Sequence, residues 1–277
     1  MRTAQFPKGD WGKVDKVILK EVKNTLNLPT EASNNYVYGQ RKLGCCGLPI
    51  ATKDFDLISE DSDLCKEWAT EGRFCFLFVI RLRTSRTTNL LRKKNQGKAI
   101  EVSSLAPASS HFLTDGAYTR FADWRFIHRA RLNLVTLNGA RPWVKDNDQR
   151  CRRCGYRQET LSHVLNHCSR YSHAWQLRHN SIVDRLVAAL GRRGEILSCN
   201  QAVASSDLRP DIVFKKGSDI FLIDVTCPFE NRKSAFAQAR ATKIAKYEPQ
   251  ILSFFWMIWV RYSLALLNIH VQNLNNI

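Results

Sequence analysis

The stretch LRPDIVFKKGSDIFLIDVTCPFENRKSAFAQARATKIAKYEP, residues 208–249, decides how the second half of the chain folds. Two apolar, β-branched runs on either side of Gly217-Ser218 predict two strands joined by a tight hairpin. A two-residue turn of the mirror-image type pairs each residue before it with a fixed counterpart after it. That pairing places Asp211 opposite Asp224.

Two carboxylates on neighbouring strands favour a divalent cation between them. Repulsion between Asp211 and Asp224 is costly to bury unless a cation offsets it, and oxygen ligands at an open, hydrated site suit Mg²⁺. Mg²⁺ held there against a phosphate polarises the phosphoryl oxygen and lowers the pKa of an attacking water. Asp224 interrupts an otherwise apolar strand, which favours a paired role, whereas Asp211 follows a proline and fits a turn former equally well.

The residues after the second strand predict a helix over 233–247 that carries Lys243, Lys246 and Tyr247 on one face. An ammonium on this face could stabilise the charge that develops on a phosphate, or orient the attacking water. The alternative is that both lysines are solvated. If one of them serves the acidic pair, we favour Lys243, because it lies further from the fraying end of the helix.

The segment CRRCGYRQETLSHVLNHC, residues 151–168, has the ligand spacing of a zinc knuckle. Its C-x2-C-x8-H-x4-C pattern sets two thiolates on a turn opposite a His and a Cys, a closed tetrahedral set typical of structural Zn²⁺. The predicted ligands are Cys151, Cys154, His163 and Cys168. His167 lies one turn after His163 and is the alternative to Cys168, which we favour. The competing interpretation is that these cysteines are small, buried hydrophobic side chains and that the histidines lie on the surface.

The chain as a whole is strongly basic. Its 277 residues include 42 Lys plus Arg against 25 Asp plus Glu, a formal net charge of +17. Such an excess favours a polyanionic partner, with nucleic acid as the first candidate. The apolar run 251–260 has about ten of the roughly twenty residues that a membrane-spanning helix needs, so we expect no membrane partner. The N-terminus has no signal-peptide pattern, so we expect the nine cysteines in a reducing compartment.

Helical patterns dominate the first half of the chain. Apolar residues recur at helical spacing over 14–28 and end before Pro29, and 117–137 combines an apolar stripe with basic residues. The basic segment 81–98 indicates a solvated linker, with a phosphate-contacting strip as the alternative. The chain has no Asp-Asp dipeptide, the paired carboxylates that hold the metal ions in a reverse transcriptase palm. We therefore do not expect this chain alone to catalyse polymerisation.

Several short motifs together resemble the restriction-like endonuclease region of site-specific non-LTR retrotransposons. The family is best known from the R-two clade, which inserts into large-subunit ribosomal RNA genes. The similar segments are Arg209-Pro210-Asp211, Asp224-Val225-Thr226, Pro228-Phe229-Glu230, Lys243-x-x-Lys246-Tyr247, the knuckle with Glu159-Thr160, FIHRARLNLVTLNG (126–139) and NYVYGQRKLGCCGLPI (35–50). The resemblance covers roughly residues 20–250.

The resemblance implies a mixed α+β or α/β, multi-domain chain with a PD-(D/E)xK restriction-like endonuclease core. The implied order is a helical thumb-like region (1–110), a basic helical linker (111–148), a CCHC zinc knuckle (149–175) and the endonuclease (176–277). By carry-over, Asp211 and Asp224 are the metal carboxylates and Lys243 or Lys246 is the catalytic lysine. Tyr247 and Glu230 complete the implied site. Thr226 stands where many restriction enzymes have the lysine.

The function that follows is Mg²⁺-dependent nicking of DNA for target-primed reverse transcription, by the C-terminal part of a retrotransposon polyprotein. The expected partners are target duplex DNA and element RNA, with no small-molecule substrate, and the expected location is the nucleus. The alternative is a catalytically inert nucleic-acid-binding fragment of a decayed element. A stand-alone junction resolvase or repair nuclease is weaker, since the thumb-like and knuckle segments would have no role.

Overall fold

The computed structural model describes residues 7–52, 73–114, 119–140, 148–202, 208–247 and 255–261. The chain divides into two compact units, Met1–Val135 and Thr136–Ile277. The boundary lies inside the segment 111–148 that the sequence sets apart as a linker. The knuckle and the strands that carry the acidic pair share the second unit.

Helices build the described part of the first unit. They are α1 (Lys8–Thr25), α2 (Asn34–Tyr38), α3 (Arg73–Leu91), α4 (Lys98–Ser103) and α5 (Phe121–Arg131), with 3₁₀ turns at Arg41–Leu43 and Pro107–Leu113. The prediction of a linker over 81–98 is wrong for most of that segment, which lies in α3. Thr87 and Leu90 are buried there, so tertiary packing overrides the basic composition.

The core of the first unit gathers apolar side chains from most of these helices. Its buried members include Leu26, Tyr36, Cys45, Leu90, Ile100 and Leu132. His128 of α5 is fully buried among them, with Nδ1 2.7 Å from the Tyr36 hydroxyl. The rings of Phe112 and Trp124 meet the imidazole edge to face. Burial, with a smaller contribution from Arg131, lowers the pKa of His128 to about 3, so the imidazole is neutral near pH 7.

The second unit combines helices with a four-stranded sheet. Its elements are α6 (Leu161–Asn166), α7 (Ser172–Leu190), β1 (Glu195–Cys199), β2 (Ile212–Lys216), β3 (Asp219–Thr226), α8 (Arg232–Tyr247) and β4 (Phe255–Arg261). The sheet order is β1-β2-β3-β4. β1/β2 and β2/β3 are antiparallel, and β3/β4 is parallel. This mixture of helices and a small sheet agrees with the α+β class expected from the sequence.

The β2–β3 hairpin has the predicted register. Lys216 pairs with Asp219 and Ile212 with Ile223, so the next pair toward the open end is Asp211 and Asp224. Gly217 opens the two-residue turn at φ 61°, a conformation that an L side chain rarely adopts and a mirror-image turn requires.

Helix α7 packs on the hairpin and closes the second core. Ile182 and Val183 of this helix join Ile212, Phe214, Ile223 and Val225 of the strands in one buried cluster. The apolar residues of 251–260 supply most of β4, which explains that run as a strand beside β3. No helix in the described ranges is long and apolar enough to cross a membrane.

Candidate functional site

The acidic pair is buried at the open end of the hairpin. Asp211 directly precedes β2 and is 6% exposed, and Asp224 lies in β3 and is 5% exposed. The backbone N–H of Val225 donates to Oδ2 of Asp211 at 2.5 Å, which ties the first carboxylate to the strand that carries the second. Strand pairing therefore brings two carboxylates together in a position largely shielded from water, where their negative charges need partners.

Helix α8 supplies the partners of Asp224. The Nζ atom of Lys243 lies 2.5 Å from Oδ2 of Asp224, an ion-pair distance, and 29% of the lysine side chain is exposed. The hydroxyl of Tyr247 lies 3.3 Å from Oδ1 of Asp224 and 3.4 Å from the carbonyl oxygen of Arg209. Lys243 and Tyr247 are four residues apart, so one face of the helix reaches both oxygens of the carboxylate.

Helix α7 supplies the partner of Asp211. The Nε2 atom of His179 lies 3.3 Å from Oδ2 of Asp211, and 31% of the imidazole is exposed. His179 lies three and four residues before Ile182 and Val183, the side chains that anchor α7 to the sheet, so all three share a helix face. The packing that builds the core therefore also directs the imidazole at the carboxylate.

The two carboxyl groups differ in their electrostatics. Burial raises the pKa of Asp211, but hydrogen bonds from His179 and from the backbone of Val225 outweigh it, and the net shift is downward. Burial also raises the pKa of Asp224, and the Asp211 charge adds to it, so the net shift is upward although Lys243 opposes it. Lys243 thus outweighs the repulsion from Asp211, and burial is the main cost of the charge on Asp224, a cost that a bound cation would offset.

The other residues expected at this site take different positions. Lys246 is turned toward Tyr247, with Nζ 3.4 Å from the hydroxyl and 4.9 Å from the ring centroid. Glu230 is buried after β3. Within the described ranges, the group of three or more metal-binding side chains is the Cys/His set of the knuckle, so Glu230 does not form such a group with the two aspartates.

His179 is a site residue that the sequence does not reveal. His179 lies on α7, far from Asp211 along the chain, and no ligand spacing or alternation in the sequence links the two residues. Only the packing of α7 on the hairpin brings them together. A lone histidine beside an apolar helix stripe carries no separate signal for such a role.

The knuckle residues converge as their spacing predicts. The ligand atoms of Cys151, Cys154, His163 and Cys168 all lie within 4.8 Å of one another. Sγ of Cys151 is 3.9 Å from Sγ of Cys168, and Sγ of Cys154 is 3.3 Å from Nε2 of His163. Tetrahedral zinc with bonds of about 2.3 Å to sulfur sets its ligand atoms roughly 3.5–3.8 Å apart. The donor set and its spacing therefore fit a zinc ion.

Local backbone structure forms the knuckle. Gly155 takes φ 73°, and the backbone N–H of Gly155 donates to the carbonyl of Cys151 at 2.9 Å, which closes the turn between the first two cysteines. Thr160 caps α6 by accepting from the N–H of His163 at 3.1 Å. His167, the alternative ligand, is exposed at the end of α6, whereas Cys168 is fully buried and within the ligand set.

Hydrogen bonds connect the knuckle to the residue after β3 and to α7, the two elements whose residues position the acidic pair. Asn166, the last residue of α6, donates from Nδ2 to the carbonyl of Cys227, just after β3, at 3.0 Å. Arg178 donates from Nη2 to Oδ1 of the same asparagine at 2.8 Å. Arg178 is the neighbour of His179, so the knuckle contacts both elements that position the carboxylates.

Comparison with known proteins supports the resemblance seen in the sequence. No family model matches the chain. Over 235 residues, 78% of the chain, it is 26% identical to the "Retrovirus-related Pol polyprotein from type-1 retrotransposable element R2" of Nasonia vitripennis. Over 132 residues, 47% of the chain, it is 28% identical to the protein of the same name from Popillia japonica. The matches span 23% and 27% of the length of these relatives. Together they support the assignment of the chain to the R2-type non-LTR retrotransposon polyproteins.

Proposed function

We propose that this chain is a metal-dependent DNA endonuclease of the restriction-like type, in which Asp211 and Asp224 hold Mg²⁺ and Lys243 assists. The observation that carries the proposal is the buried acidic pair on adjacent strands, with a lysine ammonium 2.5 Å from one carboxylate. The relatives are named as Pol polyproteins of a retrotransposable element, which supports a nucleic-acid enzyme.

The chemistry that we propose is hydrolysis of one phosphodiester bond. Bound Mg²⁺ would polarise the scissile phosphate and lower the pKa of the attacking water. The two carboxylates supply oxygen ligands, and Tyr247 and the Val225 N–H fix their orientation. The ammonium of Lys243 then offsets the charge that builds on the phosphate as water adds and the bond to the leaving oxygen breaks.

The knuckle has a structural role in this proposal. Three thiolates and one imidazole would close a tetrahedral zinc site and leave no open position for substrate. Zinc bound there would hold α6 in place, and Asn166 at the end of α6 would in turn support the loop after β3.

The substrate that we propose is duplex DNA, nicked on one strand to prime reverse transcription in the nucleus. A net charge of +17 supports a polyanionic partner. Element RNA is the second partner in this proposal, since the relatives belong to a retrotransposable element.

Nicking of a supercoiled plasmid by matched aspartate variants tests the proposal. Asp211→Asn and Asp224→Asn keep the side-chain volume but remove the charge that binds the cation, so each should abolish nicking while DNA binding persists. Asp219→Asn is the control, because Asp219 is an exposed aspartate at the start of the same strand β3. Equal nicking by Asp224→Asn and Asp219→Asn would refute the proposal.

One observation favours a second function, an inert nucleic-acid-binding chain. The ion pair between Lys243 and Asp224 satisfies part of the charge that a cation would neutralise. An inert chain would bind DNA with a normal dependence on salt and would not nick at any Mg²⁺ concentration. The wild-type protein in the same plasmid assay distinguishes the two functions.

A further inference from the structure

We infer that His179 is a positioning residue for the proposed metal site: it holds Asp211 in one orientation so that this carboxylate presents a fixed oxygen to a divalent cation. The inference rests on the proposed function of the acidic pair and adds a residue and a role to it. The observation behind it is the 3.3 Å contact between Nε2 of His179 and Oδ2 of Asp211.

Two donors converge on the same oxygen of Asp211. The N–H of Val225 reaches Oδ2 from β3, and the imidazole of His179 reaches it from α7. Donors from two separate elements prevent rotation of the carboxylate about its Cβ–Cγ bond. Because both donors contact Oδ2, we assign the cation to the other oxygen, Oδ1.

The helix that carries His179 is itself held in place. Ile182 and Val183 fix α7 to the sheet core, and Arg178 donates to Asn166 of the knuckle at 2.8 Å. The imidazole thus acts from a fixed base, as a hydrogen-bonding partner of a metal-binding carboxylate must if it is to orient that ligand.

A neutral donor at this position is sufficient for the role. The side chain of glutamine can place an N–H close to where Nε2 of histidine lies, without acid–base chemistry. His179→Gln should therefore retain the function, and His179→Ala should lose it. This contrast separates positioning from proton transfer, because a proton carrier would fail in both variants.

The test measures Mn²⁺ binding to the zinc-loaded chain. Electron paramagnetic resonance reports the concentration of free Mn²⁺ in the titration. Asp211→Asn defines the binding that does not involve the acidic pair. Loss of a partner that orients a metal ligand costs about 10-fold or more in metal affinity, which is the change expected for His179→Ala. His179→Gln should stay within about threefold of wild type, because the donor is kept.

A matched control and a second readout complete the design. His173→Ala removes an exposed histidine from the same helix and should bind Mn²⁺ as wild type does. In nicking assays, His179→Ala should raise the half-saturating Mg²⁺ concentration by about the same factor as its loss of metal affinity and retain most of the rate at saturating Mg²⁺. Amide exchange of β2 and β3 should match wild type in the three histidine variants, because the core of these strands does not involve His179.

The outcomes separate the inference from the function on which it rests. If the wild-type chain binds Mn²⁺ and nicks, and His179→Ala does both equally well, the inference is wrong and the nuclease proposal stands. If His179→Gln binds Mn²⁺ as weakly as His179→Ala, a role that needs only a hydrogen-bond donor at residue 179 is also refuted. A wild-type chain that binds no Mn²⁺ beyond Asp211→Asn would overturn both.

Discussion

The two lysines of α8 have different surroundings, which separates their expected roles. The ammonium of Lys243 lies 2.5 Å from Asp224, whereas that of Lys246 lies over the ring of Tyr247. We expect Lys243→Met to slow nicking roughly 100-fold, the usual effect of removing one group that stabilises charge in the transition state. Lys246→Met is the matched control and should remain within a few-fold of wild type. The reverse order in single-turnover nicking would assign the catalytic role to Lys246.

His128 makes the stability of the first unit dependent on pH. Its pKa is about 3 in the folded chain, mainly through burial, and about 6.5 in an unfolded chain. The unfolded state therefore binds the extra proton first, and the stabilising contribution of neutral His128, complete above about pH 6.5, declines toward pH 3. The slope approaches about 1.4 kcal/mol per pH unit for one such proton.

Amide exchange of α5 at several pH values measures this effect. The opening free energy of the helix, corrected for the intrinsic exchange rate, should fall more steeply below pH 6.5 in wild type than in His128→Phe. The comparison uses slopes, so a general loss of stability in the variant does not affect it. Identical slopes in the two proteins would show that the imidazole is already protonated, or free to reach water, in the folded chain.

Residue-level prediction from the sequence succeeded where local chemistry determined the answer. Gly217-Ser218 fixed the hairpin register, and the register placed Asp211 opposite Asp224. The same reasoning could not find His179, because the contact depends on how α7 packs on the sheet. The spacing of the knuckle ligands was informative because a turn and one short helix bring them together.

At the scale of elements, the knuckle is the segment whose order should depend on metal. Cys151→Ser, or removal of zinc by a chelator, should increase amide exchange over 150–171, because zinc binding supplies the folding free energy of such a segment. The protection of β2 and β3 should largely remain, since Ile212 and Ile223 pack against α7 rather than the knuckle.

Cys199→Ser is the control for this experiment. Cys199 is an exposed thiol at the end of β1, outside the ligand set, so the variant should retain stoichiometric zinc and wild-type exchange. Full protection of 150–171 after complete loss of zinc would contradict a structural metal site. Equal loss of zinc in both variants would show that the measured zinc is not bound by the knuckle.

Composition alone did not reveal the structure of two segments. The basic segment 81–98 suggested a solvated linker, yet most of it is helix, because Thr87 and Leu90 bury one side of α3. The run 251–260 was too short to span a membrane, and most of it forms β4 beside β3. In both cases the partner element that decides the structure lies elsewhere in the sequence, so a local pattern could not reveal it.

At the scale of the whole molecule, the chain is a basic, two-unit protein that joins a candidate zinc site and an acidic pair in one unit. The excess of Lys and Arg predicts a polyanionic partner from composition, and the similarity to R2 polyproteins supports nucleic acid in general as that partner. The sequence placed the boundaries of the segments by motif. The structure places the boundary between its two compact units after Val135.

The most direct test of the account is the rate at which the purified chain nicks a supercoiled plasmid as Mg²⁺ is titrated, with Asp224→Asn and Asp219→Asn beside it. We expect nicking by wild type and Asp219→Asn that saturates with Mg²⁺ and stops in EDTA. We expect a rate at least about 100-fold lower for Asp224→Asn, with plasmid binding retained. Nicking by Asp224→Asn at the rate of Asp219→Asn would contradict the assignment of the acidic pair as the catalytic metal site.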